Sequence, residues 1–252
     1  MLALITGATS GIGKEYAYAL AREGYDLIVT GRRKELLTNV AKDIIKQTGA
    51  NVKICIVNFT DDIKTDRFIN FIKTCDIDVL VNNAGYGAEE AFSDDEYQNQ
   101  EDMIKVHILV PVKLMHIIAN QMKKKRTGEI INVSSLASFL TLKNSEMYCA
   151  TKLFLTSFSK SLSQELLSYN IKVQALCPGF VYTDFHKKLG IDNSRRKNYG
   201  PVRWMPAEDV VTASRKDINK IICVPGKCNK LLYYLLNIIP SEILIYLTHF
   251  FN

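Results

Sequence analysis

Short runs of continuous apolar residues punctuate the chain, separated by longer stretches in which apolar positions recur at helical spacing. Leu2–Thr6, Asp26–Thr30, Val52–Val57, Asp76–Val81, the run from Gly128 to Ser134 and Ile171–Cys177 are such runs. Their continuity predicts strands buried on both faces, as in a parallel sheet. Helices are predicted over Lys14–Glu23, from Lys34 to about Gln47, from about Asp95 to Lys125 and from about Glu146 to Tyr169. Pro111, inside the third of these, is expected to kink it. Strands alternating with helices at this cadence call for an α/β fold with one doubly wound parallel sheet and helices on both faces. A length of 252 residues fits a single domain over 1–252.

In such sheets ligands sit at the carboxyl ends of the strands, and the chemistry-bearing residues gather there. The first strand runs into Gly7-Ala8-Thr9-Ser10-Gly11-Ile12-Gly13 and then a helix. A glycine-rich turn before a helix N-terminus offers backbone N–H groups and a positive dipole end to a phosphate; it also serves as a plain tight turn. The second strand is followed by Gly31-Arg32-Arg33, where an acidic residue would suit a ribose 2′-hydroxyl and an arginine a 2′-phosphate. Arg32 therefore favours NADP(H) over NAD(H) in this Rossmann-like arrangement; the alternative is that both arginines cap the next helix and face water. Asn58 ends the third strand, Asn82-Asn83-Ala84-Gly85 the fourth, Ser134-Ser135 the fifth and Pro178-Gly179 the sixth. Asparagine pairs also turn a backbone well, so Asn82 and Asn83 have a structural reading too.

Tyr148 and Lys152 stand four residues apart on a predicted helix and so project from one face. An ammonium about 6–7 Å from a phenol, at an effective dielectric of about 20, favours the phenolate by roughly 2–3 kcal/mol. That predicts a phenol pKa lowered from about 10 to about 8, within reach of proton exchange near neutrality. Ser135, thirteen residues upstream, could hydrogen-bond the oxygen the tyrosine protonates.

Composition changes the picture little. Hydrophobic content of 47% and charged content of 23% are those of an ordinary globular chain, and the net charge of +6 is mild. The six cysteines form no CxxC pair and no metal-like cluster with the four histidines, which predicts no metal site and buried free thiols. The chain enters a strand directly, without a basic segment or cleavage site, so no secretory signal and a cytoplasmic location are expected. Lys123-Lys124-Lys125-Arg126 suits a helix C-terminus and lacks interleaved aromatics, so no nucleic-acid partner is expected.

Thr6-Gly7-x-x-x-Gly11-x-Gly13, Asn82-Asn83-Ala84-Gly85, Ser135, Tyr148-x-x-x-Lys152 and Pro178-Gly179 followed by Thr183 come in one order and at set separations. In this the chain resembles the classical short-chain dehydrogenase/reductase family over nearly its whole length. From Met205 onward it looks closest to the bacterial DltE-like and estradiol 17-beta-dehydrogenase-like reductases. The resemblance implies an NADP(H)-dependent oxidoreductase interconverting a carbonyl and an alcohol on an apolar ketone, aldehyde, 3-oxoacyl or steroid-like compound, working as a homodimer or homotetramer. It implies catalytic roles for Ser135, Tyr148 and Lys152. Cofactor contacts would come from Gly7, Thr9, Ser10, Gly11, Ile12, Gly13, Arg32, Asn58, Asn83, Ala84, Gly85, Tyr148, Lys152, Pro178, Gly179 and Thr183. Two departures stand out: His107 falls where the family has a proton-relay asparagine, and Asn58 where it has an aspartate. His107 is either a working relay or a satisfied core residue.

Residues 186–206, with Lys187, Lys188, Arg195, Arg196, Lys197 and Arg203 against Asp192, are expected to form a substrate flap or a solvated loop. Phe139, Leu140, Phe180, Tyr182, Phe185, Trp204 and Met205 are expected to wall the substrate pocket. The apolar tail, 228–252, is split by Asn237, Pro240 and Glu242 and predicts two short helices covering the cleft or a subunit interface; contact with a membrane surface is the secondary reading. Two rivals remain: a non-catalytic NADP-binding regulator, and nucleotide-sugar epimerase chemistry on the same Tyr/Lys pair.

Overall fold

The computed structural model describes residues 1–87, 90–185, 198, 203–240 and 243. Strands β1 (Leu2–Ile5), β2 (Asp26–Gly31), β3 (Val52–Ile56), β4 (Val79–Asn82), β5 (Gly128–Val133), β6 (Ile171–Leu176) and β9 (Ile222–Cys223) form one seven-stranded parallel sheet in the order β3-β2-β1-β4-β5-β6-β9. A two-stranded ladder, β7 (Phe180–Val181) with β8 (Trp204–Met205), stands beside it.

Both faces are covered, which is why the strands read as unbroken apolar runs. Ala3, Ile5, Leu27, Val29, Val79 and Val81 face a core shared with α1 (Gly11–Arg22), α2 (Lys34–Thr48) and α7 (Ala207–Lys216). Leu4, Ile28, Leu80, Ile130 and Val173 face the opposite core, filled by α3 (Asp62–Ile72), α5 (Val110–Lys125) and the end of α6 (Glu146–Leu166). The order reverses between β1 and β4, and that reversal opens a crevice above their carboxyl ends.

Several boundaries differ from the sequence reading. β5 stops at Val133, so Ser134 and Ser135 lie just past the strand, where their hydroxyls can point out of the sheet. The predicted long helix is α4 (Tyr97–Ile104), a π turn over Lys105–Leu109 and then α5. Pro111 has no N–H to give the carbonyl four residues back, that of His107, and the widened turn sits where that bond is missing. The short β9 pairs with only two residues of β6, too little periodicity to read beforehand.

The basic tetrad at the end of α5 is largely engaged within the chain. Lys123 pairs with Glu165, Lys125 with Asp76 and Asp78, and Arg126 donates to the Ser168 carbonyl. All six cysteines are free thiols, three of them buried, Cys55 and Cys75 half-buried and Cys228 exposed, so the expectation of burial holds for half.

Of the expected tail helices one is described, α8 (Lys227–Ile238). It packs Leu232 and Tyr233 against Leu136 and Phe139 and leaves Leu231, Tyr234, Leu235 and Ile238 exposed. Residues 241–242 and 244–252 lie outside the described residues, as do 186–197 and 199–202 of the expected flap. No described helix is long and apolar enough to cross a membrane.

A buried polar seam joins the sheet to α6: Asn82 Nδ2 donates to Asn132 Oδ1 (2.8 Å) and Asn132 Nδ2 to Ser159 Oγ (2.8 Å). Asn132→Ala leaves the buried Asn82 amide without its acceptor and removes the donor to Ser159 Oγ, which keeps its own bond to the Leu155 carbonyl, and a loss of about 1–3 kcal/mol is expected in urea denaturation. A shift below about 0.5 kcal/mol would mean the seam contributes nothing.

Candidate active site

A cleft of about 530 Å³ lies over the strand ends, bounded by Gly7–Ile12 after β1, Gly31–Arg33 after β2, Asn83–Gly87 after β4, Ser134–Ser135 after β5 and Pro178–Gly179 after β6. Its first wall is the glycine turn. Gly7 (φ 70) and Gly11 (φ 57) take left-handed values that let the chain double back. Gly13 is fixed by crowding: a Cβ there would lie 2.3 Å from Asn83 Nδ2 and 2.5 Å from the Gly7 carbonyl oxygen. Asn83 ties the two strand ends together. Its Nδ2 donates to the carbonyls of Thr6 (2.9 Å) and Gly7 (3.0 Å), and its N–H donates to Thr6 Oγ1 (2.9 Å). This asparagine is a backbone brace that also lines the cleft.

α1 starts at Gly11, and Gly11 and Ile12 line the cleft, so the positive end of the helix opens onto it. Arg32 is exposed at the rim, while Arg33 folds back over the turn and donates to Thr9 Oγ1 and Ser10 Oγ, each at 2.8 Å. Asn58 holds Thr60 through its Nδ2 (2.8 Å) and faces the same space. A turn that lacks Cβ atoms at Gly7, Gly11 and Gly13, a helix N-terminus and two guanidinium groups fit a phosphorylated dinucleotide.

The second wall carries the proton chemistry. The Lys152 ammonium donates to the Val133 carbonyl (2.9 Å) and lies 5.6 Å from the centre of the Tyr148 ring. Ser135 Oγ accepts from the Ala137 N–H (3.1 Å) and lies close enough to Tyr148 to pull its phenol pKa down. Burial nevertheless dominates and pushes that phenol up to about 12. The expected acidification is thus reversed, because taking a phenolate out of water costs more than the Ser135 hydrogen bond returns. The lysine bears the same cost, and burial pushes its pKa down to about 8.

His107, on the π turn, is buried behind Gly85, where a Cβ would meet its Nε2 at 3.0 Å. Nε2 accepts from the Tyr86 N–H (3.1 Å), and Nδ1 lies 3.0 Å from Thr151 Oγ1. That hydroxyl gives its proton to the Tyr148 carbonyl (2.9 Å), so Nδ1 must be the donor of the pair. The ring is then neutral with both nitrogens engaged, and burial holds its pKa well below the usual imidazole value.

Every residue expected at the cofactor or reaction centre lines this cleft except Gly13 and His107, which support it from behind. Of the seven residues expected to wall the substrate pocket, Phe185 is the one that lines this cleft among the described residues, tilted on Tyr148 at 5.7 Å. Phe139 packs on Tyr233 at 4.9 Å, and Phe180 and Tyr182 pack on Trp204 at 5.1 and 5.4 Å. The sequence reading gave Arg33 no cofactor contact and missed Phe59, Tyr86 and Asp184, which join the cleft through turn geometry that no spacing announces.

A family model described as short chain dehydrogenase matches residues 1–194. The chain is 34% identical over 192 residues to the 17-beta-hydroxysteroid dehydrogenase type 3 of Mus musculus, covering 74% of this chain and 62% of that protein. It is 36% identical over 191 residues to the very-long-chain 3-oxoacyl-CoA reductase of Anas platyrhynchos, covering 73% and 61%. The match thus spans a little over three-fifths of these two relatives' lengths. Among solved structures, a short-chain dehydrogenase from Sphingobium yanoikuyae in complex with NADPH superposes with a TM-score of 0.85 at 27% identity, covering 94% of this chain and 92% of that one.

Two measurements follow from the buried Lys152 and the half-buried Tyr148. Lys152 is charged in both folded and unfolded chains below pH about 8, where its burial penalty is complete; the penalty fades as pH rises toward 10.5. Lys152→Met should therefore be about 1–2 kcal/mol more stable than the parent at pH 7, after the lost Val133 hydrogen bond, with the gap closing by about pH 10. A less stable variant at pH 7 would contradict the burial penalty. In the near-ultraviolet, the parent-minus-Tyr148→Phe difference should show no phenolate below pH about 10; phenolate near pH 8 would restore the acidified tyrosine.

Proposed function

The chain belongs to the short-chain dehydrogenase family, and from that premise we propose that it is an NADP(H)-dependent oxidoreductase interconverting a carbonyl and an alcohol on an apolar small molecule. The meeting of Ser135, Tyr148 and Lys152 on the same cleft as the glycine turn and Arg32 carries the reading. The turn and the start of α1 hold the pyrophosphate, Arg32 the 2′-phosphate and Asn58 the adenine. Lys152 holds the ribose next to the nicotinamide, and Asn83–Gly85, Pro178–Gly179 and Thr183 complete the cofactor walls. The bound dinucleotide supplies the hydride in reduction and accepts it in oxidation.

Tyr148 gives its proton to the carbonyl oxygen, and Ser135 hydrogen-bonds the same oxygen and polarises the carbonyl. A phenol kept protonated by burial suits reduction, because the acid form is present across the ordinary pH range. His107 positions and carries no proton: it pins the Tyr86 backbone to the turn of α6 that bears Tyr148. Relatives named for a hydroxysteroid and a 3-oxoacyl-CoA support a bulky apolar carbonyl as substrate.

Tyr148→Phe should lower NADPH-dependent reduction of an apolar ketone panel by about 10²–10⁴-fold while NADPH affinity stays within about twofold; undiminished turnover would sink the assignment. The panel itself separates this reading from a non-catalytic NADP-binding protein. Arg32→Asp should move the preference toward NADH, and an unmoved ratio of affinities takes Arg32 out of the 2′-phosphate site. The kcat/KM profile for reduction should cross pH about 5–7 without a histidine inflection; an inflection that vanishes in His107→Asn would make the ring a proton carrier after all.

A further inference from the structure

Gly13, Gly85 and Gly179 each have a polar side chain where a Cβ would stand. Asn83 takes that place at Gly13 and His107 at Gly85, and each of those two side chains braces a wall of the cleft. At Gly179 the place is taken by Asn229, whose Oδ1, Nδ2 and Cγ would lie 2.9, 3.0 and 3.1 Å from a Cβ. Three near-equal distances mean that the amide lies face-on against the glycine. Gly179 is not in the left-handed region, so what it needs is room and not conformational freedom. Asn229 is 3% exposed, in the first turn of α8, and its Nδ2 donates to the Pro225 carbonyl at 2.9 Å and to Met205 Sδ at 3.5 Å. One amide thus joins the turn before α8, strand β8 and the cleft wall after β6.

We infer that Asn229 is a positioning residue, whose amide backs the Pro178–Gly179 wall and so sets where the reacting half of a bound dinucleotide lies relative to Ser135 and Tyr148. The inference rests on the reading of the cleft as a dinucleotide site for carbonyl reduction. Proline and glycine carry no polar side chain, and proline has no N–H, so this wall is placed by what bonds to its carbonyls and packs behind it. In front, the Pro178 carbonyl accepts from the Leu136 N–H (2.9 Å), one residue past Ser135, so the wall and the Ser135 turn move together. Behind, α8 packs Asn229 on Gly179 and, one turn on, Tyr233 on Phe139. The glycine turn and Arg32 follow β1 and β2, on the far side of the reversal in strand order, so Asn229 acts on one half of the ligand. Alignment of reacting groups is steep: a displacement of about 1 Å slows a reaction by about a hundredfold.

The test pairs binding with single-turnover kinetics, using NADPH, the fragment 2′,5′-ADP, and an apolar ketone that the parent reduces. Asn229→Ala should weaken NADPH by about three- to tenfold in calorimetry and leave 2′,5′-ADP within about twofold. In stopped flow it should slow the rate constant for hydride transfer by about ten- to a hundredfold. That rate constant does not depend on how much of the protein is folded; the amplitude does. Gly179→Ala, which drives a methyl into the amide, should show the same pattern. The two changes together should return to within about threefold of the parent, because the methyl fills the space the amide left. The parent rate constant at reduced amplitude in Asn229→Ala would overturn the inference and leave the amide a contact that stabilises the fold alone. Equal weakening of NADPH and 2′,5′-ADP, or losses that add in the double variant, would overturn it too. Should Asn229→Ala fail to fold, Gly179→Ala decides by the same rate constant and the same ratio of affinities. A parent that reduces no ketone, or binds neither ligand, refutes the reading of the site, and this inference falls with it.

Discussion

The seam between the end of β5 and the middle of α6 governs the rest of the site. Lys152 reaches back to the Val133 carbonyl, Ser134 Oγ donates to the Lys152 carbonyl at 2.8 Å, and Asn132 grips Ser159 one strand residue earlier. Three successive strand-end residues thus hold two turns of helix. Because Tyr148 lies one turn before Lys152 and Ser135 one residue after Ser134, the seam fixes phenol and hydroxyl relative to each other without either side chain taking part. The cost is a buried ammonium, which a parallel sheet tolerates here because a strand-end carbonyl has no further strand partner to serve.

A second brace closes the site from the opposite side. The imidazole of His107 joins the backbone after β4 to the backbone of α6 through Thr151, and does so as an uncharged ring. A charged ring would have no acceptor left for the Tyr86 N–H, and it would stand near the Lys152 ammonium, which already depresses its basicity. Two buried basic groups side by side are compatible only when one of them gives up its proton. The lysine keeps the better claim because its ordinary pKa is higher by about four units.

Most of the architecture was legible because a sheet buried on both faces leaves runs such as Leu2–Ile5 and Val79–Val81 with no polar alternation, and because Gly7, Gly11 and Gly13 mark a turn that other residues could not make. Tyr148 and Lys152 were legible as a pair through helical spacing alone. What spacing cannot convey is burial: the sign of the Tyr148 shift depends on how much water the fold excludes, and no local pattern records that. Partners brought together by tertiary contact were equally hidden. Arg33 and Asp184 are 151 residues apart, and nothing near Phe139 in the chain announces Tyr233, which α8 packs against it.

The π turn at Lys105–Leu109 has a consequence for how this stretch tolerates change. Such a turn accommodates one residue more than regular helical winding, so α4 and α5 run out of phase by about 100°. Deleting a single residue of this turn other than His107 would bring the two helices into phase and shift His107 relative to Thr151. Point substitutions at exposed Leu109 leave that phase intact, whereas a one-codon loss erases it. Outside His107, length matters more in this segment than the chemistry of its side chains.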